Sequence, residues 1–491
     1  MGDTGMLRIV LKIDSLESVE DVVAKVLQEC QNGLPERVFR VPTEADWVSL
    51  REHIGKYAER VGAASTVRDS VIELRVPRAG VTIEPESRAI VVRGQRVGRP
   101  ALPCCVAAPA PPEDAAEIWQ LAGWMTELLP RADVLDAGEQ QLLEDALKHR
   151  SWLVATLASD VLNRAGHPAV PQFVRDYVVL DGSGGGDGAL GPRRDGVFTE
   201  AWEARISVDE YALYEAVHPA YAVQMVELGR MVRRYGRALP DSLLDVGSGP
   251  GLPTVMLAEM FPGTRIEAVE PSPVAFPHLV RNCSGHAISV HNTGITEFQG
   301  RPLGHSVSVS IGTSHHLDTR LFLRGLKRHT VPGGLIVVAD EMIAPFSSLP
   351  ERTQAIIDHH FVYIDQALAH VREEDLPQVE CERLRALRDR DRRTAERLPA
   401  LLAEVRRNRV AHTGEDSPWQ RVRFCVLELE ALVAGIDYDV ERKTYPENFL
   451  ELARDEGLEL LEHHRVHATV GGSDSDAGTH VFALRNPGRY L

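Results

Sequence analysis

The chain has 491 residues, more than one hydrophobic core usually holds, so about two to four domains are expected. Its composition, 44% hydrophobic and 25% charged, is that of a globular protein, and no apolar run approaches the ~18 residues of a membrane span. A net charge of −17 argues against a phosphate backbone as partner, because nucleic-acid binding usually needs a cationic footprint.

The first stretch, MGDTGMLRIVLKIDSLE, has no basic segment followed by an apolar one, so no export signal is read and a cytoplasmic location is expected. Residues 1–105 then alternate in character. MLRIVLKI and RVFRV read as strands. SLESVEDVVAKVLQEC and TEADWVSLREHIGKYAERVGA read as helices opened by Ser15 and Thr43. VIELRV reads as a strand and VTIEPESRAIVVRGQRV as a hairpin. The pattern predicts a small α+β module, and it carries no catalytic motif.

ALPCCVAAPAPPED is a Pro-rich joint, and a helical segment is predicted over 112–180. DGSGGGDGALGPRRDG (181–196) has the composition of a linker. Residues 207–236 read as one helix. Next, LLDV, RIEAVEPS, SVSVSIGT and LIVVADEMI read as strands separated by helical stretches, the signature of a parallel doubly wound sheet. GLELLEHHRVH and THVFALRNP read as two closing strands. A long, mostly helical insertion, 346–445, interrupts this core, which spans 200–345 and 446–491. The six cysteines are scattered without a CxxC pair, as expected for free thiols in a reducing compartment.

The most informative stretch is LLDVGSGPG. A buried strand runs into a turn with glycine at every second position: Asp245, Gly247, Gly249, Gly251. Glycine is costly in ordered structure, so the backbone must need to be bare there. A strand, a Gly-rich turn and a helix make a nucleotide-type pocket at the carboxyl edge of a parallel sheet. The dinucleotide fingerprint GxGxxG is not met, because position 252 is Leu. Glu270 ends the next strand, 19 residues beyond Gly251, near the ~20 expected of a carboxylate that grips ribose hydroxyls.

These residues resemble the class I S-adenosylmethionine (SAM)-dependent methyltransferases. DVGSGPG looks like their first motif and VEPSP like their acidic ribose-binding segment. VPGGLIVVADEM is similar to their fifth strand with its preceding PGG turn, and the closing strands resemble their antiparallel end hairpin. The resemblance covers the core and neither residues 1–180 nor the insertion. It implies an α/β fold: a Rossmann-like SAM-methyltransferase sheet with a helical cap insertion, plus the N-terminal α+β module and helical segment. It implies SAM as cofactor, its methionine part lined by Asp245, Gly247, Gly249 and Gly251, its ribose held by Glu270, and its adenosine flanked by Pro271 and Ser272. Where the family often has an acid near the adenine, this chain offers Gly294, Ile295 and Thr296.

Methyl transfer displaces at a sulfonium carbon, so the enzyme aligns the nucleophile and excludes water, and a base helps a hydroxyl or acidic C–H. His315 and His316, just past the fourth strand, are the candidate catalytic residues; the alternative is that they cap a helix or line the pocket. Tyr221, Glu341, His359 and Tyr363 are candidate contacts to substrate or cap. His315 or His316 with Glu341 and Asp358 or His359 has the residue types of a nonhaem iron site. Neighbours on a helix diverge by ~100°, however, so no metal is expected.

The expected function is therefore methylation, on O or C, of a small organic metabolite. The Ala/Arg/Val-rich, lysine-poor composition associates it with natural-product biosynthesis. Expected partners are a small-molecule substrate and at most a second copy of the chain in a homodimer, with no nucleic acid and no membrane. Two other readings stand beside it: an RNA or protein methyltransferase that uses residues 1–105 for recognition, and a SAM-binding protein that does not methylate.

Overall fold

The computed structural model describes short strands between Ile9 and Gly94, residues 112–167, 169–170, 214–215, 217–236, 240–300, 304–376, 378–389, 394, 396–398, 400–401 and 419–488. The helices expected after Ser15 and Thr43 and the stretch 181–196 lie outside the described residues. Two compact units are present, Met1–Pro100 and Ala101–Leu491.

In the first unit, β1 (Ile9–Lys12), β2 (Arg37–Arg40), β3 (Ala64–Arg68), β4 (Val71–Val76), β5 (Ala79–Glu84) and β6 (Ala89–Gly94) form a sheet in the order β1-β2-β6-β5-β4-β3. Among the described residues of this sheet, only β1 and β2 pair in parallel. β3 is a strand that sequence reading missed. Its ASTVR segment is short and mostly small or polar, and pairing with β4 makes it a strand.

The second unit begins with α1 (Pro112–Leu128), α2 (Ala137–Ala146), α3 (Trp152–Arg164) and α4 (Tyr221–Tyr235). The core follows as β7 (Ser242–Val246), α5 (Leu252–Met260), β8 (Arg265–Val269), α6 (Ala275–Asn282), β9 (Ile288–His291), β10 (His305–Ile311), α7 (Thr319–His329) and β11 (Thr330–Met342). After it come α8 (Leu349–Leu368), α9 (Gln378–Arg388) and α10 (Trp419–Ile436) of the insertion. α11 (Pro446–Asp455), β12 (Glu459–Ala468) and β13 (Gly478–Arg485) complete the unit. The sheet order is β9-β8-β7-β10-β11-β13-β12, parallel except for β13, which runs antiparallel to both β11 and β12.

Both faces of the sheet are covered, so the central strands are buried on both sides, β11 through its apolar run LIVVA and β10 with Ser308 and Ser310 buried between its apolar residues. Successive side chains face opposite layers. Leu243, Val337 and Val481 join the core that includes α3, α4 and α5, whereas Leu244, Val338 and Phe482 join the one with α7 and α11. α3 is buried from Trp152 through Leu162, so this helical segment shares the core instead of standing apart. Its N-terminus is capped from another helix: Glu259 at the end of α5 accepts from Ser151 Oγ (2.8 Å), Trp152 N (2.7 Å) and Leu153 N (3.1 Å). Chain order reverses between β7 and β10, and that switch point leaves a crevice at the carboxyl ends of the strands.

Two expectations change. The helix predicted over 207–236 is broken by a turn at His218–Ala220, where Pro219 removes a backbone donor, and α4 begins only at Tyr221. The VPGG segment is no separate turn before the fifth strand. It is a bulge inside β11, where pairing jumps from His305↔Thr330 to Val307↔Leu335 and Gly333 takes φ +76°. Among the described residues, no helix is long and apolar enough to cross a membrane. Cys283, Cys381 and Cys425 are buried thiols outside any disulfide.

Candidate active site

The turn after β7 shows what each glycine does. Gly247 has φ +71°, and a Cβ there would fall inside the Thr313 side chain, whose Oγ1 donates to Gly247 O at 3.0 Å. Gly249 has φ +53° and no described atom within 4 Å of an added Cβ, so its bare backbone faces open space. Gly251, at φ +97°, precedes α5, and a Cβ would meet Leu279 Cδ1 at 2.7 Å. The turn is pinned from the next strand. Gly247 N and Ser248 N donate to Val269 O (2.9 and 3.2 Å), and Glu270 accepts from Gly249 N at 2.8 Å and from Ser272 N at 2.7 Å.

Around this turn lies a cleft of about 830 Å³, its open mouth included. Asp245, Gly247, Gly249, Glu270, Pro271, Gly294 and Ile295 line it. Asp245 is buried; its Oδ2 accepts from Thr254 Oγ1 at 2.6 Å, while Oδ1 accepts no hydrogen bond from the described residues. Burial pushes the Asp245 carboxyl up to about 6 against the pull of Thr254 and Ser248. Gly251 and Ser272, expected at the ligand, do not line the cleft. Gly251 opens α5, and Ser272 Oγ accepts from Val274 N and Ala275 N at the start of α6.

A second chamber, about 600 Å³ with its open side included, adjoins the cleft and shares Tyr221, Gly312 and His316 with it. The insertion supplies Leu427, Ala431, Glu441 and Lys443 to its wall; Glu341 and His315 complete its polar end. His315 is held hard: its Nδ1 lies 2.8 Å from Asp340 Oδ1, and Asp340 Oδ2 accepts from Ser314 N at 2.7 Å. Burial alone would raise the Asp340 carboxyl, but His315 and Ser314 outweigh burial and hold it below its ordinary value.

A buried ionic network forms part of the chamber wall. His218 Nε2 stands 3.4 Å from Glu341 Oε1 and 3.3 Å from Glu428 Oε1. Lys443 Nζ donates to Glu341 Oε2 at 2.7 Å, Tyr214 OH to Glu428 Oε1 at 2.9 Å, and His360 Nδ1 lies 2.6 Å from Glu428 Oε2. Burial opposes the charge on Glu341, but Lys443 and His218 more than compensate and hold it well below its ordinary value. Burial would likewise lower His218, yet the two carboxylates raise it.

Of the candidate substrate contacts, Tyr221 and Glu341 line the chamber. His359 and Tyr363 do not. His359 is fully buried with Nδ1 2.7 Å from Thr469 Oγ1, and Tyr363 OH lies 3.0 Å from Thr479 Oγ1. Asp358 is exposed and bonded to Gln354. The His/carboxylate set weighed from the sequence is therefore not assembled. A different one is, because His315 and His316 sit on a single 3₁₀ turn, Ser314–His316, and both rings turn toward Glu441. Sequence reading missed Glu215, Thr313, Glu428, Glu441 and Lys443. The GT after the fourth strand is the only local signal for Thr313; the others come from segments distant in sequence and carry none.

The strand order with its antiparallel end pair, the Gly-rich turn after β7 and the acid ending β8 define the Rossmann-like fold of class I SAM-dependent methyltransferases. No protein-family model matches the chain, and no curated protein does. Among solved structures it is similar to geranyl diphosphate C-methyltransferase from Streptomyces coelicolor A3(2) (13% identity, 61% of this chain and 90% of that one, TM-score 0.32). It is also similar to a sarcosine dimethylglycine methyltransferase assignment from Galdieria sulphuraria (14%, 54% and 86%, TM-score 0.30). A third is a methyltransferase assignment from Bacillus halodurans C-125 (12%, 53% and 99%, TM-score 0.30). The strand order, not these distant likenesses, marks the fold.

Proposed function

We propose that the chain is a SAM-dependent methyltransferase that methylates a small organic metabolite on oxygen or carbon. The observation that carries the reading is the pairing of two spaces: a cleft built on the Gly-rich turn, opening past Tyr221 and His316 into a chamber walled by the insertion.

The residues of the cleft fit SAM. The buried, unpartnered Asp245 Oδ1 is an acceptor suited to the methionine ammonium. Gly249 leaves backbone bare for close approach. Glu270, fixed by Gly249 N and Ser272 N, lines the cleft and presents a carboxylate, an acceptor of the kind ribose hydroxyls need. When bound, SAM supplies a methyl group already activated as a sulfonium.

The rest falls to the chain's own residues. Tyr221 and Gly312 border the passage between the two spaces. His315, fixed by Asp340, and His316 stand where the acceptor must sit, and a hydroxyl or acidic C–H is the acceptor type that such polar groups assist, directly or through what they hold. A chamber walled by the insertion suits a small molecule, and natural-product biosynthesis is the setting the composition favours.

Incubation with methyl-labelled SAM and fractionated cell extract, read by mass spectrometry, tests this. Label in a small metabolite supports it. Label in RNA or protein overturns the substrate class. Binding of S-adenosylhomocysteine (SAH) without label in any fraction turns the chain into a non-methylating SAM-binding protein.

A further inference from the structure

His315 and His316 bring their rings to 4.1 Å between centroids at an interplanar angle of 51°. His315 Nε2 lies 3.9 Å from Glu441 Oε2, and His316 Nδ1 lies 4.0 Å from Glu441 Oε1. One ligand atom from each of the three residues falls within 4.8 Å of the others. Glu441 is 1% exposed, and its Oε2 accepts no hydrogen bond from the described residues. Lys443 Nζ, at 3.8 Å, is too far to bond it and is already spent on Glu341. A buried carboxylate oxygen left this way is costly unless a cation meets it.

From this geometry we infer that His315, His316 and Glu441 hold one divalent first-row transition-metal ion at the junction of cleft and chamber.

Three observations support the assignment. The first is the tautomer. A carboxylate only accepts, so the His315 Nδ1 beside Asp340 carries the proton and leaves the Nε2 lone pair toward Glu441. A carboxylate behind a ligating histidine is the usual outer-shell arrangement of metal sites. The second is charge. Asp340, Glu341 and Glu441 gather around Lys443, and a divalent ion with that ammonium balances the three carboxylates. The third is reach. Ligands ~2.1 Å from a common ion stand roughly 3.0–3.4 Å apart, so the observed separations close with side-chain shifts of under ~1 Å. Two imidazoles and one carboxylate suit Fe(II), Mn(II), Co(II) or Zn(II) and leave coordination positions open. His316 lines both spaces, so those positions face the junction and suit an oxygen donor of the acceptor. That last clause rests on the proposed function; the ion site itself does not.

The neighbouring set, His218, Glu341 and Glu428, also gathers within 4.8 Å. Its carboxylate oxygens already have partners. Lys443 Nζ donates to Glu341, Tyr214 OH donates to Glu428 Oε1, and His360 Nδ1 lies against Glu428 Oε2. It therefore serves as a control.

The test uses the full chain, stripped with a chelator and titrated with Co(II) alone, read by visible ligand-field absorption and by calorimetry. One site per chain is expected. His316→Ala and Glu441→Gln should each weaken it by at least ~100-fold, Asp340→Asn by about 10–100-fold, and His218→Asn should leave it unchanged. Far-UV circular dichroism and metal-free SAH calorimetry report whether each variant folds. X-ray absorption at the cobalt edge of the wild-type complex needs no variant and should count two imidazoles. Absence of Co(II) binding by the wild-type chain, a cobalt site without imidazole, or wild-type affinity in folded H316A and E441Q overturns the inference. Loss of SAH binding with the Co(II) site intact would instead sink the cofactor reading alone.

Discussion

Alanine at Gly247 and at Gly249 should give opposite phenotypes, although the two sit two residues apart in one turn. Both hold positive φ, +71° and +53°, which costs an L-residue roughly 1–2 kcal/mol. At Gly249 that strain is the whole cost to the fold, because no described atom lies within 4 Å of the added Cβ. At Gly247 the methyl overlaps Thr313, which bonds both Gly247 O (3.0 Å) and Ile311 O (3.1 Å) and so has no free rotamer to take. Overpacking adds about 1–3 kcal/mol, for a total of about 2–5 kcal/mol. Urea unfolding should therefore place G247A well below G249A in midpoint at a shared slope. Calorimetry with SAH should show the reverse order of concern. Folded G249A puts its methyl into the cleft and should bind at least tenfold more weakly, about 1.4 kcal/mol. If G249A binds SAH as the wild type does, Gly249 does not face the ligand and the assignment of this turn is wrong.

Three other predictions concern charge. SAH affinity should be flat above about pH 7 and weaken toward tenfold per unit below about 6, because the ligand ammonium favours the ionised Asp245, whose carboxyl sits at about 6. Asp245→Asn should weaken binding and flatten that profile in calorimetry across pH. Burial pushes Glu259 up to about 7, so the folded chain keeps a proton that the unfolded chain loses near pH 4.5. Stability should fall as pH rises between those values, and Glu259→Gln should remove that part of the slope in denaturation curves. Glu428→Gln should cost about 3–5 kcal/mol in urea unfolding, since it strips the charge that His218 and His360 face in a fully buried site. An unchanged midpoint would show that the network is not ionised.

The sheet and the Gly-rich turn at its edge were legible because they are local. LLDV, its glycines and the acid of VEPS lie within about thirty residues of one another, and each announces its backbone demand in residue type. What sequence could not show is what long-range packing decides. Glu441 and Lys443 arrive from the far end of the insertion, and Glu428 meets His218 across 210 positions. The arrangement of the histidine pair was not legible for a local reason. Adjacent histidines diverge on an α-helix, but Ser314–His316 is a single 3₁₀ turn that lets both rings tilt toward one carboxylate. Gly251 and Ser272 were assigned to the ligand by family pattern, whereas the backbone uses them to start α5 and α6.

The two ends of the insertion are fastened to each other and to the site floor. Ile343 N donates to Thr444 O at 2.9 Å, and Arg442 N donates to His315 O at 2.7 Å. The excursion between them thus begins and ends at a closed seam. The stretch between the seams is nevertheless no detachable roof. Its helices α8 and α10 pack into the same core as α3, α4 and α5, and they carry His360 and Glu428 of the buried network. The wall that shapes the chamber is thus also a wall that holds the fold together. Altered acceptor scope in this scaffold is to be sought at single lining positions such as Leu427 and Ala431, not by exchange of the whole segment.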